Sequence, residues 1–243
     1  MIVSLGSTRS GEVPVTCGVP QCSVLGPLLY ILYTADVERL FVSYRFKVHM
    51  CADDTQAYTH CRPSDALQIT HEFIEASEVL CSWMHSNRLL LNPAKTQLIW
   101  FGTRCQLSKI DHTSLLSVFP QLSFTTSVRD LGITLDSELT LTEHINALCR
   151  SCFYHLRQLR VIRRTLDLSS ASTLVHSFIC SRLDYGGSLY IGLPLTRLSR
   201  LQSVLRSAAR LLAGVRRFDS ISDYMKTVLH WLRKPMPGLS SGC

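Results

Sequence analysis

The segment Cys51-Ala52-Asp53-Asp54 puts two adjacent carboxylates where a β-hairpin should turn. Upstream, Tyr44, Phe46, Val48 and Met50 alternate with Arg45, Lys47 and His49, the two-residue period of a strand with one buried face. Downstream, Thr55 to Tyr58 carries Thr, Ala and Tyr, residue types that sit well on a returning strand. Consecutive side chains on a strand point to opposite faces, so both carboxylates reach one site only if the chain turns there. Two crowded anions repel each other unless a cation neutralises them, and hard divalent ions such as Mg2+ take oxygen ligands. Two such ions about 3.5–4 Å apart can hold the attacking and leaving oxygens of a phosphoryl transfer. Taken alone, the pair reads more simply as a surface turn, because Asp is a common turn residue.

Its neighbours extend the reading. Gly18-Val19-Pro20-Gln21-Cys22-Ser23-Val24-Leu25-Gly26-Pro27 lies upstream, followed by a helix-like run from Leu28 to Phe41. The stretch around the carboxylates, Cys51 to Tyr58, comes next, and then Trp83-Met84-His85-Ser86-Asn87-Arg88-Leu89-Leu90-Leu91-Asn92-Pro93-Ala94-Lys95-Thr96. In this order the three segments closely resemble the palm of reverse transcriptases from non-LTR retrotransposons. Val128 to Asp136 and Ser181-Arg182-Leu183-Asp184-Tyr185-Gly186 resemble downstream segments of the same family. The resemblance runs from about Thr16 to Trp231, nearly the whole chain.

It implies an RNA-directed DNA polymerase, in which a primer 3′-hydroxyl attacks the α-phosphate of a deoxynucleotide on an RNA template. Asp53 and Asp54 then become the catalytic, metal-binding residues, with Mg2+ or Mn2+ as the implied cofactor. Gln21 and Ser23 become candidates for touching nucleotide or template, although a loop capping its own helix explains them equally. Lys95 resembles the family's basic residue near the triphosphate, and an exposed lysine at a strand start is the plainer alternative. In the family a strand bearing a further catalytic aspartate precedes the Gly-Val-Pro-Gln segment; Met1 to Cys17 contains Glu12 and no Asp. Cys22 stands where the family usually has Gly, and Cys51 where it usually has an aromatic residue. The expectation is a fragment that binds metal weakly, is inactive alone, and tends to aggregate through an unpaired sheet edge. Two alternatives remain: a non-catalytic nucleic-acid-binding module and a decayed open reading frame.

At 243 residues, with 46% hydrophobic and 18% charged residues, the chain suits a folded protein and not a disordered one. No charge-free apolar run of about twenty residues predicts a membrane span, and no secretory signal is evident. The ten cysteines are scattered through apolar stretches and read as reduced thiols of an intracellular protein, nuclear or cytoplasmic. Cys149 and Cys152 lack a second pair downstream, so they read as two thiols on one helix face and not as a zinc site. His49, His71, His112, His144 and His230 share no spacing that suggests a metal site or a triad.

The formal charge of +7 is concentrated in one region. Between Leu141 and Arg217 stand twelve arginines, no lysine and three acids, a local excess of nine that leaves the remainder near −2. Arginine suits bidentate phosphate contact, so Arg157, Arg160, Arg163, Arg164, Arg206 and Arg210 become candidates for a nucleic-acid backbone. The plainer alternative is a solvated helical face.

The fold class predicted is α+β. Helices are expected through Leu28 to Phe41 and Ser64 to Asn87, with a short strand over Thr96 to Phe101. Short strands and loops are expected over Arg104 to Thr126. Three helices then follow on the stripes Leu141 to Leu159, Leu174 to Ile179 and Leu198 to Leu212, the last capped at Gly214. A shorter amphipathic piece runs through Ile221 to Trp231. Four regions result: an N-terminal remnant over 1–17, a partial palm over 18–136, a helical Arg-rich thumb-like region over 137–234, and a disordered tail over 235–243.

Overall fold

The computed structural model describes residues 4–11, 14, 23–41, 43–92, 95–119, 122–216 and 219–231. Gln21, Cys22, Arg217 and the 235–243 tail therefore lie outside the described residues. The fold is α+β: helices dominate, and the described strands pair as three antiparallel two-stranded ladders. Contacts divide the chain into two compact units, Met1–Thr96 with Lys109–Pro120, and Gln97–Ser108 with Gln121–Cys243.

In the first unit, β1 (Ser4–Leu5) pairs with β2 (Thr8–Arg9), and β3 (Lys47–Cys51) pairs with β4 (Asp54–Tyr58). The expected alternation holds. Phe46 is buried, Val48 and Met50 are half-buried, and Lys47 and His49 are exposed. Phe46 meets Phe73 edge-on at 5.6 Å between centroids. Phe73 lies on α3 (Ala66–Ser86), whose buried residues Ala66, Ile69, Ala76, Leu80 and Met84 recur at helical spacing. Leu115 of α5 (His112–Val118) and Phe119 beyond it are also buried in this unit.

Three sequence expectations need correction. The run from Leu28 to Phe41 is two helices, α1 (Gly26–Tyr33) and α2 (Val37–Leu40), separated by a turn at Thr34 to Asp36. Thr34 causes much of the break: its hydroxyl donates to the Tyr30 carbonyl at 2.9 Å, and three-residue backbone bonds replace the helical ladder after it. The stretch Thr96 to Phe101 forms no ladder; only an isolated parallel bridge joins Leu98 to Phe124, beside stacked Trp100 and Phe124 rings. Arg104 to Thr126 holds two short helices, α4 (Arg104–Leu107) and α5, where strands and loops were expected. Local capping accounts for both. Thr103 and Gln106 form a reciprocal capping box, and the Asp111 carboxylate accepts from the Thr113 and Ser114 amides.

The second unit is built on α6 (Thr142–Ile162) and α9 (Leu195–Ala213). Ile145, Cys149, Cys152, Leu156 and Leu159 of α6 share a core with Leu201, Val204, Leu205, Ala208, Leu211 and Leu212 of α9. Between them the chain forms α7 (Leu168–Val175), a π-helical turn at His176–Cys180, and α8 (Ser181–Asp184). Gly214 ends α9 in the left-handed region at φ +67°, and α10 (Ser222–Thr227) follows. A hairpin of β5 (Ser127–Asp130) and β6 (Ile133–Asp136) also belongs to this unit, so the 18–136 segment is shared between the two. Cys149, Cys152 and Cys180 are buried free thiols, and burial pushes the last two up to about 11, which keeps them protonated. Among the described residues no helix is long and apolar enough to cross a membrane.

Candidate functional site

The β3–β4 ladder registers Cys51 opposite Asp54, which leaves Ala52 and Asp53 as a two-residue loop. Ala52 takes φ +55°, a conformation an L-residue rarely adopts outside tight turns. Asp53 is thus the second loop residue and Asp54 the first residue of the returning strand, and both side chains are exposed. Tyr30 of α1 feels this turn: burial, and then the negative charge of Asp53, push its hydroxyl above the ordinary tyrosine range. The helix before the hairpin and the carboxylate at its tip therefore share one neighbourhood in the first unit.

Two hard oxygen donors suit a divalent ion that keeps part of its water shell and is held by one or two carboxylates. Among the described residues, no group of three His, Cys, Asp or Glu side chains could hold a metal.

The remaining sequence candidates fall into three groups. Ser23 is half-buried, and its hydroxyl oxygen accepts from the Gly26 amide at 3.1 Å, at the start of α1. Lys95 is exposed in a turn, its amide donating to the Asn92 carbonyl at 3.1 Å. Arg157, Arg160, Arg164 and Arg206 are exposed on or just beyond the helices of the second unit. Arg163 and Arg210 are only half-exposed and hold the fold together. Arg163 donates to the carbonyls of Leu211 at 3.1 Å, Leu212 at 3.2 Å and Leu166 at 3.0 Å, gripping the C-terminal end of α9. Arg210 donates to the Asp219 carbonyl at 3.3 Å.

Sequence reasoning gave His144 no role. It sits between β6 and the core, where its Nδ1 accepts from the Thr134 amide at 3.4 Å and its Nε2 meets the Tyr190 hydroxyl at 3.3 Å. Burial, and then the charge of Arg129, hold its imidazole below the usual histidine range, so it serves as a neutral polar bridge. No spacing rule could have found it, because its partners lie 10 and 46 residues away.

The two downstream segments meet in the structure. Tyr185, in Ser181 to Gly186, donates its hydroxyl to the Leu131 carbonyl at 2.5 Å, at the turn of the Val128 to Asp136 hairpin.

Comparison with known proteins gives the same relationship. The chain is 28% identical over 223 residues to the probable RNA-directed DNA polymerase from transposon X-element of Drosophila melanogaster, a match covering 87% of this chain and 23% of that protein. It is 31% identical over 170 residues to the probable RNA-directed DNA polymerase from transposon BS of the same species, covering 65% of this chain and 17% of that one. With the RNA-directed DNA polymerase from mobile element jockey it shares 25% identity over 228 residues, again 87% of this chain and 23% of the relative. The chain thus spans about a quarter or less of the curated relatives it matches. No protein-family model and no solved structure matches it. Over most of its length, this chain is similar to the RNA-directed DNA polymerases of non-LTR retrotransposons.

Proposed function

We propose that the chain supplies part of the palm, over 18–136, and the thumb-like region, over 137–234, of an RNA-directed DNA polymerase. The observation that carries this reading is the Ala52-Asp53 loop, which brings adjacent carboxylates to a hairpin tip inside the matches to the X-element and jockey polymerases. Asp53 and Asp54 would hold the divalent ion, which when bound offsets the charge that develops on the phosphates. The protein's share is position. The hairpin holds Asp53 in its loop beside Asp54 at the start of the returning strand, Lys95 offers a cation to a triphosphate, and the exposed arginines of the second unit track the backbones of RNA template and DNA primer. Because two carboxylates are the donors this turn brings together among the described residues, the reading has the 243-residue polypeptide hold metal weakly and not extend a primer by itself.

Primer extension on an RNA template with Mg2+ or Mn2+ tests this reading, beside an Asp53→Ala, Asp54→Ala double variant. Folded protein that binds primer-template without incorporating nucleotides is the expected result. Incorporation abolished by the double substitution would establish the polymerase and overturn the inactivity. A second reading, a nucleic-acid-binding module with no catalytic part, is favoured by the exposed arginines. It requires that binding be unchanged in the double variant and that added metal have no effect on it.

A further inference from the structure

One face of the second unit combines guanidinium groups with exposed rings that the polymerase reading does not use. On α6, Arg150, Tyr154 and Arg157 lie at positions i, i+4 and i+7, so they share one side of the helix, and all three are exposed. His155, beside Tyr154, stacks on Phe178 with ring centroids 5.3 Å apart and planes inclined by 20°. Tyr154 meets the same imidazole edge-on at 5.5 Å. Phe178 comes from the π-helical turn His176–Cys180, and the next turn brings Arg182, which donates to the Ser151 hydroxyl at 2.8 Å and ties α8 to α6. Single π-helical turns are rare and gather at functional positions. This one presents a phenylalanine at the surface.

The exposure is unusual for a core-forming cluster. Tyr154 is 52% exposed and Phe178 39% exposed, so water covers a row of aromatic surface. Burial, and then the charge of Arg182, hold the His155 imidazole below the usual histidine range, so its ring is neutral near pH 7. Three adjacent rings flanked by three arginines complement a polymer that has planar bases on an anionic backbone. Duplex DNA keeps its base faces stacked inside, so the match is to an unpaired strand.

We propose that Tyr154, His155 and Phe178 form a stacking platform for an unpaired base of a single-stranded nucleic acid, with Arg150, Arg157 and Arg182 on its phosphates. The proposal rests on the reading of the second unit as a nucleic-acid-binding thumb and adds where a base would sit. It commits to the single strand and leaves the sugar open, since stacking is tolerant of both sequence and sugar.

The test is fluorescence anisotropy on the full 243-residue chain with labelled oligothymidylate, oligouridylate and a base-free abasic oligomer, each about a dozen nucleotides long. Wild-type protein should bind a base-bearing oligomer about tenfold more tightly than the abasic one, a change that corresponds to ~1.4 kcal/mol. Preference over the abasic strand by either the DNA or the RNA oligomer supports the platform, and the tighter of the two shows which strand it takes. Tyr154→Ala and Phe178→Ala should each remove most of that preference, and Tyr154→Phe should keep it. Equal binding of base-bearing and abasic strands would overturn the platform while leaving backbone contact intact. So would a preference that survives in a Tyr154→Ala protein with an unchanged melt. Failure to bind any of the three would remove both the platform and the thumb reading beneath it.

Discussion

Gly186 shows how a single position ties two distant segments together. It takes φ +67°, and a Cβ placed there would stand 2.5 Å from Ile133 Cδ1 and 3.5 Å from Cγ1. Two terms therefore oppose any side chain: the left-handed backbone disfavours an L-residue, and the Ile133 side chain of β6 must move. Gly186→Ala should destabilise the protein by about 1–3 kcal/mol in urea or thermal denaturation. Ile133→Ala should relieve the steric part, so the double variant should cost less than the sum of the singles. An unchanged melt for Gly186→Ala would mean that the close approach is not there. Sequence alone could flag Gly186 through the resemblance of Ser181 to Gly186, but it could not name Ile133 as the neighbour, 53 residues earlier in a different strand. Arg163 teaches the converse. Composition groups it with the arginines proposed for phosphate contact, whereas its side chain reaches back to the carbonyls of Leu211 and Leu212. Nothing in a run of Arg residues distinguishes a helix clamp from a free cation, because the difference lies in which carbonyls tertiary packing brings near.

Among the elements, legibility follows periodicity. The stripes on α3, α6 and α9 are long enough for the 3.6-residue repeat to dominate, and all three helices fold where the stripes place them. Short elements escape this signal. α4 and α5 cover four and seven residues, less than a reliable period, and their caps hold them. The Thr103-x-x-Gln106 spacing was the available clue. α1 is the instructive case, because its sequence is apolar and none of its residues is buried. Leu156 on α6 is 1% exposed, while Leu32 on α1 is 73% exposed. Leu156→Ala should therefore cost about 2–5 kcal/mol by leaving a cavity in the core. Leu32→Ala should lie within about 0.5 kcal/mol of wild type. Parallel chemical denaturation of the two variants decides the matter. A loss at Leu32 comparable to that at Leu156 would show that α1 is packed into this chain's core after all.

At the level of the whole molecule, charge and ring chemistry fall in one compact unit. The eleven described arginines of the 141–217 stretch belong to the unit containing Gln121–Cys243, and so do Tyr154, His155 and Phe178. The two contributions depend differently on salt. Phosphate contact releases counterions, so its share of affinity falls with rising salt at a log–log slope of roughly −0.7 per phosphate for a single strand. Stacking buries apolar ring surface and releases no ions, so it persists. If Arg150, Arg157 and Arg182 of the platform each meet one phosphate, the slope for an oligothymidylate should be about −2. Arg157→Gln should flatten it by about 0.7 and weaken binding to every sequence alike. Tyr154→Ala should leave the slope unchanged and shift the whole line toward weaker binding. A titration of affinity between low and high salt on the three proteins therefore separates the two effects. A wild-type slope near zero would remove the arginines from the interface, and parallel lines for Arg157→Gln and wild type would remove Arg157 alone. The charge excess, legible in the sequence, sets how steeply the line falls, and the ring platform, visible only once α6 and the π-helical turn are brought together, sets how much affinity remains where the charges are screened.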